Sequence, residues 1–117
     1  MSVLVLGLSH HTTPIQLLDE VAVVGTSARS MLDDLGADSR VSEAMVLATS
    51  NRLEVYAAAP RVHPAVDAIR AALSRHSGVE TQRLASHLFV HHGESAAEHL
   101  FRTASGLDSM VTGESQI

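Results

Sequence analysis

The chain has 117 residues, 45% of them hydrophobic, which is enough for one domain with a true core. Thirteen acidic residues against eight basic ones, all of them arginine, give a formal charge of −5 and exclude a dominant basic surface for nucleic-acid backbones. With no cysteine there is no disulfide, thiolate metal site or redox pair. No basic stretch precedes the first apolar run and no run is long enough to span a bilayer, so a soluble, cytoplasmic protein without membrane contact is expected.

In chain order, the first apolar run predicts a strand over 2–8, and Thr13-Pro14 opens a helix over 14–20. A second helix is expected over 27–35, capped by Thr26 or Ser27. Two runs rich in strand formers, 43–49 and 53–59, flank a tight Thr49-Ser50-Asn51 turn, where Asn tolerates left-handed angles and the hydroxyls bond their own backbone. Residues 62–77 form the clearest helix: Val62, Val66, Ile69 and Leu73 make a stripe, Pro64 suits the first turn, and Gly78 suits the position just past the end.

A strand over 86–91 and a helix over 94–106 complete the order. In that last helix Ala97, Leu100, Phe101 and Ala104 predict the buried stripe, which places His99 and Arg102 on the opposite face, in solvent or along a cleft. The sequence of strand, helix, strand, strand, helix, strand predicts an α+β fold. Its form is a ferredoxin-like split βαβ sandwich, an antiparallel sheet with helices on one face.

Two segments carry the polar chemistry: the turn Thr49-Ser50-Asn51-Arg52, and the stretch from His99 through Asp108, Ser109 and Glu114. A Ser or Glu near free backbone amides can orient a bound group. Eight histidines raise the question of a metal, but His10-His11 and His91-His92 are adjacent residues that point to opposite faces of a strand, so no metal site is expected. Gly-x-Gly-x-x-Gly does not occur, and no cofactor is expected to bind this chain.

Taken together, these segments resemble the glutamyl-tRNA reductase family, whose N-terminal domain is similar to this chain from end to end. The resemblance rests on Gly7-Leu8-Ser9-His10 followed by Thr13-Pro14, and on Thr49-Ser50-Asn51-Arg52-Leu53-Glu54-Val55-Tyr56 against the family's Thr-Cys-Asn-Arg-x-Glu-x-Tyr. The signature His-Leu-Phe-Arg-x-Ala-Ser-Gly-Leu-Asp-Ser-Met-Val-x-Gly-Glu is matched from His99 to Glu114. The resemblance implies that residues 1–117 are the catalytic domain, ferredoxin-like in fold, with the NADPH-binding and dimerisation domains outside it. It implies transfer of a glutamyl group from glutamyl-tRNA to a thiol, and NADPH-dependent reduction of the thioester to glutamate-1-semialdehyde for tetrapyrrole synthesis. A homodimer in the full-length enzyme, and glutamate-1-semialdehyde aminomutase as a partner, are further implications.

On the same resemblance Ser50 and His99 occupy the catalytic positions, with His99 managing protons near the scissile ester. Thr49, Ser50, Asn51, Arg52, Ser109, Glu114, Ser115 and Gln116 occupy substrate-binding ones. One departure matters. The family's nucleophile is a cysteine, and here that position is Ser50. A thiol ionises at a pKa of about 8.5, whereas a serine hydroxyl needs a dedicated base, and transfer to oxygen merely exchanges one ester for another. Ser50 reads as an engineered substitution that silences a cysteine while keeping nearly its shape, with natural loss of activity as the alternative. The serine form is expected to be inactive. The rival reading is a noncatalytic ferredoxin-like module that binds a small anion or a protein, since this fold serves many roles. A metal-dependent hydrolase using the histidines comes last.

Overall fold

The computed structural model describes residues 1–49 and 51–105. The elements in order are β1 (Ser2–Ser9), α1 (Ile15–Thr26), α2 (Ala28–Gly36), β2 (Glu43–Thr49), β3 (Arg52–Ala59), α3 (Val62–Ser77), α4 (Thr81–Ala85), β4 (Phe89–His92) and α5 (Glu94–Ala104). The strands form one sheet in the order β2-β3-β1-β4, and every neighbouring pair is antiparallel. This is the strand order of a split βαβ sandwich, with β1 and β3 central.

Alternation along the two central strands decides what each face of the sheet does. Leu4, Leu6 and Leu8 lie opposite Ala57, Val55 and Leu53, and this face carries the main core. Four helices cover it, through Leu17, Val21 and Val24 of α1, Met31 and Leu35 of α2, Ala68, Ile69 and Leu73 of α3, and Leu84 of α4. The other face holds Val5, Gly7 and Ser9 of β1 opposite Tyr56, Glu54 and Arg52 of β3. There α5 packs, burying Ala96 against Val5 and Tyr56. The expected helices on one face are therefore α1 to α4, and α5 lies on the reverse.

The expected helix signals at Pro14 and Gly78 hold, while the cap at Ser27 and the stripe of α3 differ from expectation. The Pro14 carbonyl accepts the first N–H groups of α1, from Leu17 and Leu18. Ser27 caps α2 through its backbone rather than its hydroxyl: its carbonyl accepts from Ser30 and Met31. Gly78 ends α3 at φ 77°, in the left-handed region that favours glycine, and its N–H returns to the Ser74 carbonyl. The buried stripe of α3 runs through Ala65, Ala68, Ile69, Ala72 and Leu73, so the alanines make the closest approach to the sheet while Val62 and Val66 flank it.

Two boundaries differ by three residues or more, and α4 is an element not expected from the sequence. The fourth strand begins at Phe89, because α4 and the turn after it occupy residues 81–88, with Leu88 N–H bonded back to the Leu84 carbonyl. The first helix continues to Thr26, well past residue 20. Among the described residues no helix is long and apolar enough to cross a membrane.

Candidate functional site

β3 carries Arg52, Glu54 and Tyr56 at alternate positions, so all three side chains project onto the face covered by α5. A charged row on a central strand cannot reach solvent beyond a neighbouring strand, and it must find partners within the layer. It does. Glu54 is fully buried, and its Oε1 accepts from the Tyr56 hydroxyl at 2.8 Å. Its Oε2 lies 2.6 Å from Nε2 of His99 and 3.4 Å from NH1 of Arg52. That same NH1 donates to the Thr103 hydroxyl at 3.2 Å. His99 and Thr103 are one helical turn apart on α5, so the cluster fastens this helix to the strand.

Space for the cluster comes from Gly7. A Cβ there would stand 2.7 Å from the Phe89 ring, 2.8 Å from the Leu53 carbonyl oxygen and 3.0 Å from Cγ of Glu54. The His99 ring also lies against Phe89 and His91, with centroid separations of 4.8 and 5.0 Å. Burial first, and then the Glu54 carboxylate, pushes the Tyr56 phenol far above its ordinary range.

The Thr49–Asn51 turn is fixed by its own side chains. The Thr49 hydroxyl donates to Oδ1 of Asn51 at 2.8 Å and receives the Asn51 N–H at 3.4 Å. The Asn51 carbonyl accepts from the His10 N–H, which ties the turn to the end of β1. Thr49 pairs with Arg52 across the hairpin. On the α1 side a cavity of about 70 Å³ touches Asp19, Thr49 and Arg52. Among the described residues positive φ occurs only at Gly78 and Gly93, so Asn51 holds its turn without the left-handed conformation.

The structure thus brings Arg52 and His99 together through Glu54 and sets Thr49 and Asn51 at the adjoining strand end. Ser50, Ser109, Glu114, Ser115 and Gln116 lie outside the described residues. The expected stripe of α5 is overturned: Ala97, Leu100, Phe101 and Ala104 are exposed, Phe101 at 77%, whereas Ala96, His99 and Thr103 are buried. Large apolar side chains define a stripe only when the opposing surface is apolar. Here the surface that α5 meets is the Arg52-Glu54-Tyr56 row. His99 is consequently a buried histidine, 6% exposed, and Arg102 does not share its face.

Glu54, Tyr56 and Thr103 are the cluster members that sequence reasoning did not select. The available signal was the i, i+2, i+4 spacing of Arg52, Glu54 and Tyr56 opposite the apolar Leu53, Val55 and Ala57. The β1–α1 connection, His10-His11-Thr12-Thr13-Pro14, has no glycine, and the described strands pair only antiparallel, so the described residues do not build a glycine-rich dinucleotide turn. Among the described residues no three His, Asp or Glu side chains converge in a way that could hold a metal ion.

This combination defines a ferredoxin-like α+β domain with an extra helix bolted across the open face by a buried Arg–Glu–His cluster. The sequence profile of the family described as glutamyl-tRNAGlu reductase, N-terminal domain, matches residues 6–117. The chain belongs to that family. It is 49% identical to a glutamyl-tRNA reductase of Thermobifida fusca over its whole length, covering 24% of that protein. It is 43% identical to glutamyl-tRNA reductase 1 of a Nocardioides species, again over its whole length and covering 27% of the relative. Among solved structures it is similar to glutamyl-tRNA reductase from Methanopyrus kandleri, with a TM-score of 0.63 and 27% identity, over 97% of this chain and 25% of that one. The chain therefore spans about a quarter of the length of the relatives it matches.

Proposed function

We propose that this chain is the catalytic domain of a glutamyl-tRNA reductase, residues 1–117 forming one domain that takes the glutamyl group from glutamyl-tRNA. The observation that supports it most is the meeting of the two motif segments: Arg52 of the first and His99 of the second both reach Oε2 of Glu54. In this reading Thr49, Asn51 and Arg52 hold the glutamyl moiety together with Ser109, Glu114, Ser115 and Gln116, and position 50 receives it. A thiol at that position forms the thioester, and His99 moves the proton to or from the scissile ester. With Ser50 in place the chain is inactive. NADPH, which supplies the hydride for glutamate-1-semialdehyde formation, binds elsewhere in the full-length enzyme, a cytoplasmic homodimer that passes its product to an aminomutase.

Binding is tested directly by titrating the chain with a glutamyl-adenosine ester analogue at millimolar concentration. Resonances of Arg52, Asn51, Ser109 and Glu114 should move together in NMR spectra. If they stay in place while the chain is folded, the pocket is elsewhere.

A further inference from the structure

We propose that the open edge of β2 is a docking strand for a second copy of this chain, the two β2 strands pairing antiparallel about Val46 so that two four-stranded sheets join into one. Among the described residues β3 is the only strand beside β2, and none of the seven residues of β2 is fully buried. Bonds at the strand ends show which backbone groups face outward. The Ser42 N–H donates to the Ala58 carbonyl, whereas the Asn51 carbonyl accepts from His10 at the end of β1. Backbone groups of successive residues in an antiparallel strand turn to opposite neighbours. Arg52, Glu54, Tyr56 and Ala58 of β3 therefore serve β2, through their partners Thr49, Leu47, Met45 and Glu43. The N–H and C=O groups of Ala44, Val46 and Ala48 are turned the other way, along the edge.

The residues of this edge fit their own copy. In a pair centred on Val46, Ala44 faces Ala48, Met45 faces Leu47 and Val46 faces Val46, so each apolar side chain meets one of similar size. The one charge of the strand lies at its end. Glu43 faces Thr49 of the second copy, and at about 3.3 Å per residue the two Glu43 residues stand about 20 Å apart. Open edges are ordinarily guarded by lysine, by proline or by a very short strand, and β2 has none of these. Met45, 52% exposed, also extends the apolar surface of Val3 and Leu100 around a shared cavity of about 330 Å³. Because the strand pairs with its own sequence, the contact is two-fold symmetric and closes at two copies. It leaves the Arg52–Glu54–His99 cluster untouched and does not depend on the proposed glutamyl transfer.

Sedimentation velocity of the unmutated chain over micromolar to millimolar concentration should show a reversible monomer–dimer equilibrium. Amide hydrogen exchange locates the contact. The N–H groups of Ala44, Val46 and Ala48 should slow by about tenfold or more from dilute to concentrated samples, while those of Met45 and Leu47, already bonded to β3, should not change. Val46→Lys sets two ammonium groups opposite each other across the pair and should raise the dissociation constant by about tenfold or more. A folded chain that is monomeric at every concentration would overturn the proposal, as would a folded Val46→Lys chain that dimerises as tightly as its parent. A dimer whose edge amides ignore dilution places the contact elsewhere, and slow edge amides in a monomer mean that the chain covers its own edge; either result also overturns it. If Val46→Lys does not fold, exchange in the unmutated chain decides alone.

Discussion

Glu54 and His99, 45 residues apart in the chain, meet at 2.6 Å between Oε2 and Nε2, and each is the other's route out of an otherwise costly burial. A carboxylate on a central strand without this partner, Tyr56 and Arg52 would be an uncompensated buried charge. The same contact decides which face of α5 turns toward the sheet. Folding and the proposed chemistry thus depend on one cluster.

Removing one partner from that cluster should be severe. Glu54→Ala or Arg52→Ala should lower unfolding free energy by about 3–5 kcal/mol, because a buried group keeps its desolvation cost and loses its compensation. Tyr56→Phe, which removes one hydroxyl donor and keeps the ring, should cost about 1 kcal/mol. Denaturant titrations of the three variants check the order.

Gly7→Ala should destabilise the chain by about 1–3 kcal/mol, since its Cβ would meet a backbone oxygen at 2.8 Å as well as the Phe89 ring. The damage should extend to chemical shifts of His99 and Glu54 if the residue makes room for the cluster. A shift pattern confined to β1 would show that the close approach matters only locally.

Tyr56 is the sole tyrosine, so its ionisation can be followed by tyrosinate absorbance without ambiguity. Its folded pKa lies above the unfolded value of about 10, so the folded state holds its proton longer. The associated stability is fully present below pH ~10 and is lost as pH rises toward the folded pKa. In the native chain tyrosinate should appear only at clearly higher pH than in denaturant. Matching titration curves would contradict the buried pairing with Glu54.

The face of α5 can be tested by contrast. Phe101→Ala should change stability by no more than about 0.5 kcal/mol, because that ring is mostly exposed. Ala96→Leu should cost about 1–3 kcal/mol, because Ala96 is buried in a cluster with Val5 and Tyr56. The stripe expected from hydrophobicity predicts the opposite order.

Most of the fold is legible in the residues. Period-two alternation marks β1 and β3, Pro14 and Gly78 mark helix ends, and the order of elements specifies the antiparallel sandwich. The site is legible only in part. Thr49, Asn51 and Arg52 stand out as turn chemistry, yet nothing local shows that β3 is covered on both faces. Hydrophobic periodicity on α5 therefore selects Leu100 and Phe101, when pairing with Glu54 and Arg52 buries His99 and Thr103 instead. The alternation of Arg52, Glu54 and Tyr56 marks one side of this pairing, but nothing on α5 names His99 and Thr103 as its partners.

The most direct measurement is mass spectrometry of the chain after incubation with glutamyl-tRNA, comparing Ser50, Ser50→Cys, and Ser50→Cys combined with His99→Asn. Ser50→Cys should acquire one glutamyl group through a thioester, sensitive to hydroxylamine, with free tRNA released. The Ser50 chain should remain unmodified, and the His99→Asn combination should react far more slowly. Equal glutamyl transfer to Ser50 and Ser50→Cys, or none to a folded Ser50→Cys chain, would contradict the account.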